Sequence, residues 1–378
     1  MKLRALALSV LMVMSVVAVG VSFGPGVATA AGNQTDVAAS DLPGSGTSND
    51  PYQISNASEL QAIEDDLGAH YTLVADVNAS DTSEWNDGAG FAPIGDSGTP
   101  FTGTFDGNGY TIADLTINRS SENNVGLFGY TGSSAVIANV SIEDIDVTGY
   151  QYVGGLVGYS SGTMDSSYAT GNVSATGNTV GGLVGYGEGT VGSSYATGNV
   201  SATGNTVGGL IGTNFGTVDS SYATGTVTGQ DRVGGLIGAN LGTVTDAYWD
   251  VNTTGQSDTN DGYDDAGTGL TTTQLKANTS LDGFDFTNTW ETVESGDADT
   301  TGDGYPILQS VDRQAQLDAQ NVNAYAGGDG SDGDPYEIAN WHHLDNVRQN
   351  LGGDFVLTAD LNSGTAGYSS VASSSANS

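Results

Sequence analysis

Between Val153 and Asp258 the chain repeats one pattern of apolar and polar positions four times. VGGLVGYSSGTMDSSYATGNVSATGNT begins at Val153 and VGGLVGYGEGTVGSSYATGNVSATGNT at Val180. VGGLIGTNFGTVDSSYATGTVTGQDR follows at Val207 and VGGLIGANLGTVTDAYWDVNTTGQSD at Val233. The starts lie 27, 27 and 26 residues apart, a period that fits one supersecondary unit and is too short for a domain. Leu156, Leu183, Leu210 and Leu236 hold one offset, Met164, Val191, Val218 and Val244 another, and Tyr168, Tyr195, Tyr222 and Tyr248 a third. Apolar columns at fixed offsets, parted by Gly-rich and Ser/Thr-rich turns, predict short strands. The 58 glycines and the many Thr, Val and Asn residues oppose helix. Three strands and three turns use about 27 residues, and stacked coils set identical side chains about 4.8 Å apart. The predicted fold is all-β, a right-handed parallel β-helix with leucine, valine and tyrosine ladders. The tyrosines are expected to stack inside, because their offset is the most invariant.

A degenerate copy, NVGLFGYTGSSAVIANVSIEDIDVTGYQY, runs from Asn124 to Tyr152. Before it, FTGTFDGNGYTIADLTIN (Phe101 to Asn118) carries Asp106-Gly107-Asn108-Gly109 as a turn, since Asn and Gly accept positive φ cheaply. The ends of such a stack need covers. SELQAIEDDLG predicts a short capping helix with Ser58 as N-cap, Leu60, Ile63 and Leu67 on one face, and Gly68 at its end. Beyond the repeats, Phe284, Phe286, Trp290 and GYPIL at Gly304 to Leu308 read as a C-terminal plug.

GSDGDPYEIANWHHLDNVRQNLGGDFVLTADLN (Gly330 to Asn362) matches GTSNDPYQISNASELQAIEDDLGAHYTLVADVN (Gly46 to Asn78) without a gap, at a constant offset of 284. A second module thus opens near Gly327 and stops at Ser378, where the first goes on to build coils; a truncated gene or a decayed tandem array would look this way. The predicted divisions are a signal at 1–30, a linker at 31–45, the cap and first coils at 46–123 and the repeats at 124–258. The plug then spans 259–310, a linker 311–326 and the incomplete second module 327–378.

Lys2 and Arg4, an apolar run from Ala5 to Phe23 and Ala28-Thr29-Ala30 have the order of a secretory signal cleaved after Ala30, with an uncleaved anchor as the alternative. A secreted or cell-surface location is therefore expected, with no membrane span after signal removal. Cysteine is absent, so the fold forgoes disulfides. The formal net charge is −37, which repels nucleic acid and anionic lipid. This acidic composition resembles that of secreted proteins of halophilic archaea, and molar salt would screen the self-repulsion to within about 3 Å.

The string G-G-L-[VI]-G, followed by G-T-[VM] and S-S-Y-A-T-G, resembles the GLUG motif repeat. With its flanking segments (AYWDVNTTGQ, GTGLTTTQLK, GFDFTNTW and GYPIL among them) the resemblance covers roughly Asp50 to Leu308 and Gly330 to Asn362. It implies a large surface protein of bacteria or archaea. In IgA-specific metallopeptidases such repeats are accessory, and a separate domain holds zinc on an H-E-x-x-H helix.

No catalytic or cofactor site is legible here. Zinc needs convergent ligands, whereas this chain has only His70, His342 and His343 and no H-E-x-x-H. A polysaccharide lyase needs a base and a cation, and Arg232 is the one basic residue from Val153 to Asp258. A glycan hydrolase needs paired carboxylates. Asp165 and Asp219 share an offset that Gly192 interrupts, and Glu143, Glu188 and Asp231 read as surface charge. Calcium candidates are the stretch holding Asp258, Asp261, Asp264 and Asp265, and the one holding Asp297, Asp299 and Asp303. Asn172 and Asn199 lead the glycosylation candidates, and Thr170, Thr197 and Thr224 are a candidate flat binding face. The expected function is non-catalytic: adhesion or an envelope-associated scaffold, with a glycan, an envelope protein or a second copy as partner. The alternatives are a polysaccharide-degrading β-helix and an accessory fragment whose functional domain lies beyond Ser378.

Overall fold

The computed structural model describes residues 37–257, 267–277, 280–293, 304–320, 331, 333, 335–338, 344, 347 and 352–361. The signal segment, the acidic stretch at 258–266 and Asp297, Asp299 and Asp303 lie outside these residues.

Each repeat forms one coil of a parallel β-solenoid. Strands Gln151–Gly154, Val157–Ser160, Thr163–Asp165 and Tyr168–Ala175 make up the coil of the first repeat. Each pairs in parallel with its copy one repeat later, in the registers Val153↔Val180, Val157↔Val184, Met164↔Val191 and Tyr168↔Tyr195. The coil therefore has four strands in four sheets, one more than its sequence predicts. The extra strand arises because Gly-Gly-Leu bends what reads as one apolar segment into two. A Cβ on Gly181 would lie 2.1 Å from the Val184 carbonyl oxygen, and one on Gly182 2.3 Å from that of Gly209. Glycine alone lets the backbone turn this close to the next coil. Leu156, Leu183, Leu210 and Leu236 sit buried in the bend. Their backbones stay linked: the Leu156 N–H donates to Leu183 at 3.0 Å and the Leu183 N–H to Leu210 at 3.0 Å.

A second corner precedes each ladder tyrosine and Ser141, its counterpart one coil earlier. Asn139, Ser166, Ser193, Ser220 and Asp246 adopt φ of 54°, 50°, 41°, 46° and 48° there. The left-handed turn takes the following N–H out of the regular ladder, and a buried serine column answers it. The Ser167 N–H donates to Ser194 Oγ at 3.2 Å, and the Ser194 N–H to Ser221 Oγ at 3.1 Å. Each hydroxyl in turn donates to the carbonyl two residues back, as Ser194 Oγ does to Gly192 at 2.6 Å. The second serine of S-S-Y thus replaces a missing rung.

At the first end, the helix Ala57–Gln61 and a 3-10 turn at Ala62–Asp65 cover the coils with Leu60 and Ile63. The N-cap is Asn56, not Ser58: its side chain accepts the Glu59 N–H at 3.0 Å, and Glu59 accepts the Ser55 N–H at 2.7 Å. This reciprocal pair starts the helix earlier and leaves Ser58 inside it. The Gln61 side chain bonds both backbone groups of Ala92, at 3.0 and 2.9 Å, tying the cap to the coils. At the other end Trp249 fills the interior, in register with Ala169, Ala196 and Ala223 of the coils before it.

The tyrosine ladder does not face that interior. Ala169, Ala196 and Ala223 point inward with the core, whereas Tyr168, Tyr195, Tyr222 and Tyr248 belong to a separate cluster with Leu275, Phe284, Trp290 and Leu308. In a strand, consecutive residues face opposite ways, so the alanines inside put the tyrosines outside. The segment expected to plug the end instead runs along the flank as a strap over the rings. Tyr248 donates to the Asp282 carbonyl at 3.2 Å, Tyr222 to that of Pro306 at 2.7 Å and Tyr195 to Gln316 Oε1 at 3.0 Å. Tyr168 donates to Glu143, which its sequence context reads as surface charge. Tyr305 reaches back to the buried Asp250 at 2.6 Å.

The second module repeats the cap geometry. Tyr336–Ile338 pairs in parallel with Phe355–Leu357 in the register Tyr336↔Phe355, equivalent to Tyr52↔Tyr71 in the first module. Its Ile338 is buried against Val293, Ile307 and Leu317, so the module docks on the strap. No helix among the described residues is long and apolar enough to cross a membrane.

Two outcomes follow from these contacts. Replacing Ser194 by Ala strips the Ser167 N–H of its acceptor and should cost about 2 kcal/mol of unfolding free energy, whereas exposed Thr190→Ala should stay within about 0.5 kcal/mol. Denaturant titration in molar salt separates the two. Burial also pushes the phenols of Tyr168, Tyr195 and Tyr222 well above their ordinary value. The unfolded phenols ionise near pH 10 and the folded ones later, so this stability is fully present below pH 10 and is lost as pH rises beyond it. The expected slope is about 1.4 kcal/mol per pH unit for each such tyrosine. Tyr195→Phe should reduce the slope by one proton; an unchanged slope would mean the ring titrates freely in the native state.

Candidate functional site

A different aromatic column stays open to solvent. The second-strand sheet aligns Tyr130, Tyr159 and Tyr186, then Thr213 and Ala239. The three tyrosine rings stack at 4.3 and 4.7 Å, with interplanar angles of 6° and 17°. Where Thr213 interrupts the column, Phe215 from two residues further on stacks against Tyr186 at 5.3 Å. Tyr152 packs edge-on to Tyr159 at 6.0 Å and to Tyr186 at 5.3 Å. Phe215 is 46% exposed and Leu241, at the same offset one coil on, is 55% exposed.

Stacking decides what this column offers. Tyr159 has both ring faces covered by neighbours, so water meets its edge and its hydroxyl. The free aromatic surface concentrates at the Phe215 end of the row. Burial, followed by a hydrogen bond to Glu188, raises the Tyr159 phenol above its ordinary value. Tyr159 therefore stays neutral and donates, while Glu188 also accepts from Ser161 Oγ at 3.3 Å. The result is a rail of phenolic edges with one carboxylate beside it and an apolar end.

The other candidates are dispersed. Asp165 and Asp219 stand two coils apart, and a Cβ on the intervening Gly192 would lie 2.8 Å from an Asp165 carboxylate oxygen. No group of three or more His, Cys, Asp or Glu among the described residues is placed to hold a metal ion. Thr170 and Thr224 are buried, so their column is not an open face. Asn172 and Asn199 are exposed and in register, with Asn199 Nδ2 donating to Asn172 Oδ1 at 3.3 Å. The open tyrosine column escapes a search for invariant offsets because it decays to Thr213 and Ala239. Its signal is an aromatic six residues after the start of successive units (Tyr159, Tyr186), continued backward by Tyr130.

Comparison with known proteins bears on the repeats. The GLUG motif family model matches residues 149–174 and 203–228. Halomucin of Haloquadratum walsbyi is 44% identical over 137 residues, covering 35% of this chain and 2% of that protein. A candidate Gly-rich membrane protein of Evansella cellulosilytica is 38% identical over 130 residues, covering 32% of this chain and 15% of that protein. The chain thus spans a small part of either relative's length. A crystal structure described as a candidate immunoglobulin A1 protease from Bacteroides ovatus aligns with TM-score 0.48 at 19% identity, covering 71% of this chain and 94% of that one. The repeated coils at 149–174 and 203–228 are GLUG motifs.

Proposed function

We propose that this protein is a non-catalytic β-solenoid at the cell surface, acting in adhesion or as an envelope-associated scaffold through its open tyrosine column. One observation carries the reading. Of two stacked aromatic columns, the chain covers one with its own strap and leaves the other, from Tyr130 to Phe215, in contact with solvent. Similarity to halomucin and to a membrane protein supports a surface location. A rail of phenol edges and hydroxyls favours a ligand that repeats hydrogen-bonding groups along an extended chain. The net charge of −37 disfavours a polyanion, so the expected ligand is a neutral glycan, or an envelope protein bearing one. Each contact is weak, and parallel coils add them by avidity.

Binding of the full chain to isolated envelopes of a halophilic archaeon, and to arrayed neutral and acidic polysaccharides in molar salt, tests this. The double variant Tyr159→Ala, Tyr186→Ala should weaken binding roughly tenfold or more, since aromatic contacts of this kind contribute about 1 kcal/mol each. Circular dichroism should show the fold retained, because both rings are partly exposed. Binding that ignores the double variant would overturn the assignment of the column. Sustained release of reducing or unsaturated ends from any polysaccharide would overturn the non-catalytic reading.

A further inference from the structure

Tyrosines stack face to face in two columns, and the two differ in what can reach the rings. Under the strap, Tyr168, Tyr195 and Tyr222 stack at 4.7 and 4.8 Å and are buried. In the open column, Tyr130 and Tyr159 stack at 4.3 Å with an interplanar angle of 6°. Both of these rings are half-buried, with their edges in water. The open pair is therefore the closer one, and small solutes reach it.

Closeness and access matter together for one reaction of phenols. A phenol that gives up an electron and its hydroxyl proton becomes a phenoxyl radical, whose unpaired electron spreads to the ortho ring carbons. Two rings held face to face set those carbons opposite each other, which removes the encounter that coupling needs in free solution. A proton acceptor is also in place, since the Tyr159 hydroxyl contacts Glu188 and the Tyr130 hydroxyl. Glu188 is exposed and accepts from Ser161 Oγ at 3.3 Å, so it can pass the proton on to water. The covered column lacks this combination. Tyr195 and Tyr222 donate to Gln316 Oε1 and the Pro306 carbonyl, neither of which takes up a proton. Tyr168 has Glu143 as its acceptor but lies buried beneath the strap.

We propose that Tyr130 and Tyr159 form an oxidative cross-linking site, joined by a bond between their ortho ring carbons to give dityrosine. The oxidant is a dissolved one-electron acceptor, such as a photoexcited dye or a peroxyl radical. Each ring loses one electron to it and one hydroxyl proton, Tyr159 to Glu188 and Tyr130 to water. The two radicals pair their electrons in the new carbon–carbon bond. The hydrogen on each bonded carbon then moves to that ring's own oxygen, which restores both phenols. In all, two electrons go to the oxidant and two protons to solvent. The bond staples neighbouring coils where Phe128–Thr131 and Val157–Ser160 already pair, in the register Tyr130↔Tyr159. Coupling needs no ligand, so the inference would survive failure of the glycan reading.

The test illuminates the full chain in molar potassium chloride with a ruthenium tris-bipyridyl sensitiser and persulfate, which takes up the electrons. Dityrosine fluorescence should rise in a chain that stays monomeric, and peptide mapping should find Tyr130 joined to Tyr159. Tyr159→Phe keeps a ring in the stack but has no hydroxyl, so it should cut the yield roughly tenfold or more. Tyr195→Phe should leave the yield unchanged. Glu188→Gln should slow coupling severalfold and make its rate rise with the concentration of buffer base, a dependence that the parent lacks. Cross-links formed only between molecules, or a link mapped beneath the strap, would overturn the proposal. So would a yield indifferent to Tyr159→Phe.

Discussion

Everything in this molecule depends on the parallel backbone ladder between coils. It fixes the spacing of side chains on successive coils, so each position in the repeat becomes a column of like beside like. Apolar columns gain from this directly, as the Val153, Val180, Val207 and Val233 series does in register. Charged columns lose. Two carboxylates about 5 Å apart in water repel by about 0.8 kcal/mol, and the chain already carries a net charge of −37. Gly192 between Asp165 and Asp219 is the local answer, since it lets the Asp165 carboxylate lean into space that a third acid would claim. Neutral tyrosine meets no such limit and stacks in both aromatic columns.

The same ladder explains the motif. A coil must turn corners without losing hydrogen bonds, and each corner is solved by a residue type that the sequence then repeats. Gly-Gly permits backbone contact at the leucine bend. The left-handed corner spends an N–H, which the buried Ser167, Ser194 and Ser221 column recovers. What looks like a low-complexity Gly/Ser/Thr chain is a list of corner solutions.

Legibility followed this division. Offsets, register and the duplicated cap are visible in the residues because stacking demands repetition. Direction is not. Tyr168 recurs in all four repeats and Ala169 in three, so a preference for the large invariant ring inside chooses the wrong one; the interior between sheets admits alanine there, and the ring finds its burial under the strap. The strap itself is invisible as such, because Phe284, Trp290 and GYPIL satisfy an end plug and a flank cover equally well as sequence. The strand count fails at Gly-Gly-Leu for a related reason, since an apolar run gives no sign that it bends. Leu60 and Ile63 of the cap helix were legible, but the helical turns end at Asp65, short of the expected Leu67 and Gly68; Asn56 and Ser58 are both good caps, and only the Ser55–Glu59 contact separates them.

The two aromatic columns then pose one physical question with two answers. A column of stacked phenols on an outer face leaves a row of hydroxyls that need partners and of ring edges that gain from leaving water. For Tyr195 and Tyr222 the chain supplies both, through the Gln316 side chain and the Pro306 carbonyl beneath Trp290. For Tyr159 the charged acceptor at hand is Glu188. The covered column thus shows, within the same molecule, the complement that the open column lacks: extended backbone carbonyls, an amide and an apolar ring laid along the coils. A partner that presents hydroxyls and apolar ring faces along an extended chain would meet the same demands, which is the physical basis on which a glycan is proposed above.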